Sequence, residues 1–173
     1  KPQCCAEPIN PNPENDEDDL VHVGYHGTNQ IGSEGILRGG LKDLGYSDPR
    51  QLGPGFYVDQ NRDVARFWAA EKFGNSVLSI WMRRDDFNRL NRCDRGSNGF
   101  YGWWPGIDEV SRHVMHNANG ICDVEIALYD RNPPEHVQST NVYPHGVPGI
   151  ETAKQWKFNV HVFPQLIPMP AVD

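Results

Sequence analysis

The chain has 173 residues, with 16 Lys and Arg against 23 Asp and Glu, a formal charge of −7. That length supports one domain with a real core, and the acidic balance argues against nucleic acid as a partner, since nothing would neutralise a run of phosphates. A mean hydropathy of −0.64 without an apolar run near 18 residues excludes a transmembrane helix, and five Trp, six Tyr and seven Phe exclude a disordered chain.

Residues 1–20 hold one Lys and six acids, a net of −5, which leaves −2 for residues 21–173. Four prolines in that stretch forbid a helix, so it reads as an acidic, Pro-rich arm ahead of a single domain spanning 21–173. The first residue is Lys1 rather than Met, and the cysteines are even in number: Cys4, Cys5, Cys93 and Cys122. Both features fit a processed, secreted, disulfide-bonded monomer. Two pairings stay open. Cys93 bonds Cys122 and the arm is tied separately, or Cys4 and Cys5 each bond a core cysteine. A zinc set of Cys93, His113, His116 and Cys122 is the other use of these residues, but its spacing matches no familiar module, and no metal is expected.

The elements follow in chain order. Leu20–His26 alternates in its first half and reads as a strand. Ser33–Leu41 reads as a short helix with Ser33 as N-cap, ending at the Gly39-Gly40 pair. Gly53-Pro54-Gly55 marks a turn before a strand at Phe56–Val58. Asp63–Phe73 places Val64, Phe67 and Trp68 at helical spacing beside Ala65 and Ala69, an amphipathic helix. Val77–Met82 is a buried strand, Arg83–Asp86 a charged turn, Glu109–Met115 helical and Asp123–Tyr129 a strand. A turn-rich stretch covers 130–149, Lys157–Phe163 alternates as a last strand, and the terminal residues 164–173 are extended and Pro-limited. The sum is an α+β domain.

Three segments carry the residues suited to chemistry: Gly24-Tyr25-His26-Gly27-Thr28, Gly55-Phe56-Tyr57 and Ile150-Glu151-Thr152. Singly, each reads as structure: a hydrogen-bonded histidine, a core tyrosine, a solvated glutamate. Jointly, their order and context resemble the catalytic domains of the diphtheria-toxin-like mono-ADP-ribosyltransferases, whose triad is His-Tyr-Glu. Residues 23–28 (VGYHGT) look like that family's first strand, and 55–68 (GFYVDQNRDVARFW) like its Gly-Phe-Tyr strand and following helix. There a second aromatic falls eleven positions after the tyrosine; here Trp68 stands eleven after Tyr57. Residues 150–156 (IETAKQW) look like the segment of the catalytic glutamate, with Trp156 five positions after Glu151. Glu125, in the strand EIALYD, is the competing glutamate; it lacks a Trp five residues later, and Glu151 is preferred.

The resemblance implies an ADP-ribosyltransferase fold of two packed, mostly antiparallel sheets with a few short helices. It implies NAD as substrate and no metal. In those terms Glu151, His26 and Tyr57 are catalytic; His26, Gly27, Thr28, Tyr57 and Trp68 hold NAD. Cleaving the nicotinamide–ribose bond builds positive charge on the ribose, and a carboxylate that meets the charge as it develops favours the transition state over the ground state. Two aromatic faces suit a cationic nicotinamide, and glycine admits a close main-chain approach. Gly149 occupies the position where arginine-modifying relatives carry Glu or Gln, which disfavours arginine as acceptor. The expected activity is transfer of ADP-ribose to an unidentified protein, diphthamide of an elongation factor being the precedent. An NAD glycohydrolase and a silent NAD-binding module are the alternatives.

Overall fold

The computed structural model describes residues 19–42, 55–71, 73–97, 122–130 and 152–171. In order these form β1 (Leu20–Thr28), α1 (Gln30–Gly39), β2 (Phe56–Asp59), α2 (Arg62–Glu71), β3 (Ser76–Arg83), α3 (Arg84–Asn88), β4 (Arg92–Ser97), β5 (Val124–Asp130), β6 (Thr152–Phe158), a 3-10 helix (Val160–Gln165) and β7 (Ile167–Pro170). The expected arm, the Glu109–Met115 helix, the 130–149 stretch, Cys4, Cys5 and Glu151 lie outside the described residues.

The strands make one sheet in the order β4-β5-β6-β2-β1-β3-β7. Every neighbouring pair is antiparallel except β4 and β5. An α+β architecture is therefore present, whereas the expected pair of packed sheets is, among the described residues, a single sheet with a narrow joint. β1 pairs β3 along its whole length, from Leu20↔Arg83 to Thr28↔Ser76, and β2 pairs β6 from Phe56↔Phe158 to Asp59↔Gln155. β1 and β2 share only Tyr25↔Asp59. The sheet is thus two well-laddered halves hinged at one residue pair.

Strand alternation explains where the core lies. Phe56 and Val58 on β2, Leu78, Ile80 and Met82 on β3, Val124 on β5 and Phe158 on β6 share one face, and Val23, Val162 and Leu166 complete their cluster. Full burial of each large apolar side chain contributes about 1.5–3 kcal/mol. Trp156 stacks on Phe87 with ring centroids 6.0 Å apart, and the Arg92 guanidinium lies 5.5 Å from the Trp156 ring. Cys93 and Cys122 form a disulfide joining β4 to the residue pair before β5; both sulfurs are consumed, so they do not serve the zinc set.

Several local expectations change. Asn29, not Ser33, caps α1: its Oδ1 accepts from the Gly32 amide at 2.8 Å. Ser33 instead lies one turn inside, buried, its hydroxyl bonded to that of Ser76 on β3. The helix ends as expected at the glycine pair, with Gly40 at φ 84° donating to the Ile36 carbonyl. The charged Arg83–Asp86 turn is the start of the short helix α3. β4 had no strand signal, because Arg92–Ser97 lacks apolar alternation and is held by its disulfide and by pairing with β5. The last strand is displaced: β6 stops at Phe158 and residues 160–165 coil into a 3-10 helix. Asn159 causes the change. Its buried amide donates to the Cys122 carbonyl at 2.8 Å, which turns the chain out of the ladder.

One titration follows from this packing. Burial holds the His22 imidazole below its ordinary value of 6.5, its ring lying edge-on to both Tyr25 and Trp81. The unfolded chain binds the proton more readily, so this residue's contribution to stability is present above about pH 6.5 and is lost as the solution acidifies through the lower folded value. The thermal midpoint of the wild type is expected to fall between pH 7.5 and 5.5 by more than that of His22→Gln, measured in parallel melts.

Candidate active site

The narrow joint of the sheet coincides with two of the three motif segments. Beyond Tyr25↔Asp59, β1 continues as His26, Gly27 and Thr28 while β2 runs back through Val58, Tyr57 and Phe56, with no ladder pair between them. His26 spans the seam instead. Its Nδ1 lies 2.7 Å from the Tyr57 carbonyl, and because a carbonyl only accepts, Nδ1 carries the proton. The ring stacks on Phe56 at 4.3 Å between centroids. Gln60 closes the far end, its Nε2 donating to the Val23 carbonyl at 2.9 Å.

His26 and Tyr57 are therefore joined, but their rings leave the sheet on opposite sides. His26 is in register with Leu78 and stacks on Phe56, both on the apolar face. Tyr57 alternates with Phe56 and is in register with Lys157, on the other face. A ligand that meets both rings lies across the seam rather than upon one face. Both residues are almost fully buried, His26 at 6% and Tyr57 at 5% exposure.

α2 roofs the seam on the Tyr57 side. Asn61 starts the helix, its Oδ1 accepting from the amides of Asp63 at 2.7 Å and Val64 at 3.3 Å, and Val64, Ala65 and Ala69 form its buried stripe. It crosses β1 directly over Gly27, where an added Cβ would stand 1.7 Å from the Ala65 carbonyl oxygen. Only glycine permits that crossing. Trp68 sits on the same helix, half-buried, edge-on to Phe67 at 5.1 Å. Thr28 is buried at the end of β1, opposite Ser76. Replacing Gly27 with Ala would lift α2 away from β1. The expected cost is about 1–3 kcal/mol, read as a drop of several degrees in the thermal midpoint.

The face that carries Tyr57 is polar although buried. Asp59 accepts from Gln155 Nε2 at 3.1 Å across the β2–β6 pair. Next to them Lys157, opposite Tyr57, donates to Glu125 Oε2 at 2.7 Å and to Asn159 Oδ1 at 2.6 Å, while the Asn159 amide donates to the same Glu125 oxygen at 3.0 Å. Lys157 and Glu125 are 0% and 1% exposed. Buried charge of this kind persists only when paired and hydrogen-bonded. Gly55, at φ 157°, leaves room for the stem, since a Cβ there would meet Lys157 Cδ at 2.2 Å.

This network separates the two candidate glutamates. Glu125 is held by a buried lysine and amide, so its carboxylate is already neutralised by an internal partner. Glu151 lies outside the described residues, one position before Thr152, the first residue of β6. β6 in turn flanks β2, so the strand next to Glu151, the strand of Tyr57 and the strand of His26 are consecutive neighbours in the sheet. The Lys157 network and the Asp59–Gln155 pair were missed from the sequence. Alternation gave no signal for them: Glu125 between Val124 and Ile126, and Lys157 between Trp156 and Phe158, fall on the face opposite the apolar one, which in a sequence reads as solvent-facing.

No protein-family model matches the chain, and no curated protein matches it either.

Proposed function

We propose that the chain is an NAD-cleaving mono-ADP-ribosyltransferase of the His-Tyr-Glu kind. The observation that carries the reading is the seam between β1 and β2, bordered by His26, Gly27 and Tyr57, with β6 on the far side of β2. Two of the three motif segments, 27 residues or more apart in the chain, are thus adjacent at the seam, and the third precedes β6, whose Thr152 end extends past the Asp59↔Gln155 pair.

In this reading the dinucleotide lies across the seam. The Gly27 main chain meets the nicotinamide carboxamide, and Tyr57 and Trp68 supply aromatic surface to the cationic ring. His26, held by the Tyr57 carbonyl, meets the adenosine ribose. The bond between the nicotinamide nitrogen and ribose C1′ breaks, and the ring departs as neutral nicotinamide with the bonding electrons. Glu151 faces the positive charge that appears on the ribose. An acceptor nucleophile then bonds to C1′ and gives its proton to solvent. With a protein acceptor the product is ADP-ribosyl protein; with water it is ADP-ribose, the glycohydrolase outcome.

The test is nicotinamide release from NAD, with and without cell lysate, alongside transfer of labelled ADP-ribose to protein. Labelling that requires lysate supports the transferase and identifies its target. Release without lysate favours the hydrolase. NAD binding without turnover leaves a silent binding module, and neither binding nor turnover overturns the reading.

A further inference from the structure

At one end of the sheet order, Cys93 on β4 is in register with Glu125 on β5, Glu125 with Lys157 on β6, and Lys157 with Tyr57 on β2. These four strands are consecutive neighbours, so one row runs across the sheet from the disulfide to the tyrosine of the seam. Along it, Lys157 donates to Glu125 Oε2 at 2.7 Å. The second cysteine reaches the same lysine by another route: the Cys122 carbonyl accepts from the Asn159 amide at 2.8 Å, and Asn159 Oδ1 accepts from Lys157 at 2.6 Å. Both halves of the Cys93–Cys122 disulfide therefore converge on the buried charge pair beside Tyr57. β4 itself is a short strand at the edge of the described sheet. It lacks apolar alternation, and its ladder to β5 shifts register between Asp94 and Ser97. Arg92 adds a bond to the Phe87 carbonyl at 3.1 Å and lies 4.6 Å over the Phe87 ring. A short edge strand of this kind is where local opening begins once its cross-link is cut.

We propose that the Cys93–Cys122 disulfide is a redox-sensitive latch on the strand of Tyr57. Oxidised, it holds the row closed. Reduced, it releases β4 and admits water beside the Glu125–Lys157 pair, whose attraction weakens as the local dielectric rises, and β6 and β2 loosen in turn. In the cutting step the thiolate of a dithiol attacks the Cys93 sulfur, since Cys93 is partly exposed where Cys122 is buried. The S–S bond breaks and Cys122 leaves as thiolate and takes up a proton. The reductant's second thiol then displaces Cys93 as a thiol and closes the reductant's own disulfide. One cystine is reduced and one dithiol is oxidised. The effect on turnover rests on the NAD reading; the latch itself does not. Where both hold, the activity belongs to oxidising surroundings and fades in a thiol-rich compartment.

Amide hydrogen exchange on the full chain tests this, before and after reduction with dithiothreitol. In Cys4→Ser/Cys5→Ser the cysteines that remain are Cys93 and Cys122, so the dithiol acts on one bond. Reduction is expected to raise exchange about tenfold across residues 124–126, 155–158 and 56–58, while residues 78–82 of β3 stay protected. Nicotinamide release from NAD is expected to fall about tenfold in the reduced chain and to return on reoxidation, since small displacements of a positioned group are costly. Cys93→Ala/Cys122→Ala is expected to exchange like the reduced chain and to be indifferent to the dithiol. Unchanged exchange at 56–58 and 155–158 on reduction overturns the latch. So does equal loss of protection at 78–82, or a Cys93→Ala/Cys122→Ala chain that does not fold, either of which makes the disulfide a staple of the whole fold. A chain that releases no nicotinamide in either redox state removes the enzymatic reading, and the exchange pattern still decides the latch.

Discussion

Glu151→Gln is expected to lower the rate of nicotinamide release from NAD by about a hundredfold to a thousandfold while leaving NAD affinity within a fewfold of wild type. The substitution keeps the volume and a hydrogen-bonding end but removes the charge. In the ground state the positive charge resides on the nicotinamide ring, against aromatic surface; in the transition state it has moved to the ribose. A carboxylate beside the ribose is thus worth more at the transition state than before it, and its loss falls on kcat. Removal of one such electrostatic group typically costs about 3 kcal/mol, which is the stated range of rate. Glu125→Gln is the control. Glu125 is paired with Lys157 at 2.7 Å, so its variant is expected to lose stability and to keep kcat in the fraction that remains folded. The reverse pattern, with kcat lost in Glu125→Gln and kept in Glu151→Gln, would move the reaction to the interior of the sheet. Steady-state kinetics on both variants decides it.

Lys157→Met is expected to be the most destabilising single change in the described fold. The ammonium is completely buried, and its removal takes the ion-pair partner from the Glu125 carboxylate, itself 1% exposed and bonded by the Asn159 amide. Breaking a buried pair from one side costs about 3–5 kcal/mol, so the thermal midpoint should fall by about 10 °C for a chain of this size. Pairing the change with Glu125→Leu should recover most of the loss, because an apolar pair leaves no uncompensated charge. A double variant as unstable as the single one would mean that packing around the stem, rather than the stranded charge, sets the cost. The result bears on the site as well, since Lys157 is in register with Tyr57, and softening β6 loosens the strand that supports the tyrosine.

Much of the local structure was legible because it is written in short-range rules. Alternation at Leu20–His26 and Val77–Met82, the Ala65–Ala69 stripe and the Gly39-Gly40 stop each depend on residues within a turn or two of one another. Where those rules failed, a long-range partner had intervened. Ser33 looked like a cap until Ser76, 43 residues away, took its hydroxyl. Lys157–Phe163 looked like a strand until Asn159, bonded to Cys122, ended the ladder. β4 was invisible because its place is set by the disulfide and by β5.

The same division holds for the site. The residues proposed to bind and cleave a dinucleotide were picked out in the sequence alone, by a resemblance carried in three short segments whose identities need no coordinates. What only the tertiary structure decided is the arrangement: that β1, β2 and β6 are neighbours, that the β1–β2 ladder stops after one pair, and that His26 and Tyr57 turn to opposite faces. Register and the ending of a ladder are set by pairing energies summed over strands far apart in the chain. Burial, likewise, is decided by everything that packs around a side chain. For that reason a lysine between Trp156 and Phe158 reads as surface in the sequence and is, in the fold, the anchor of a buried charge network.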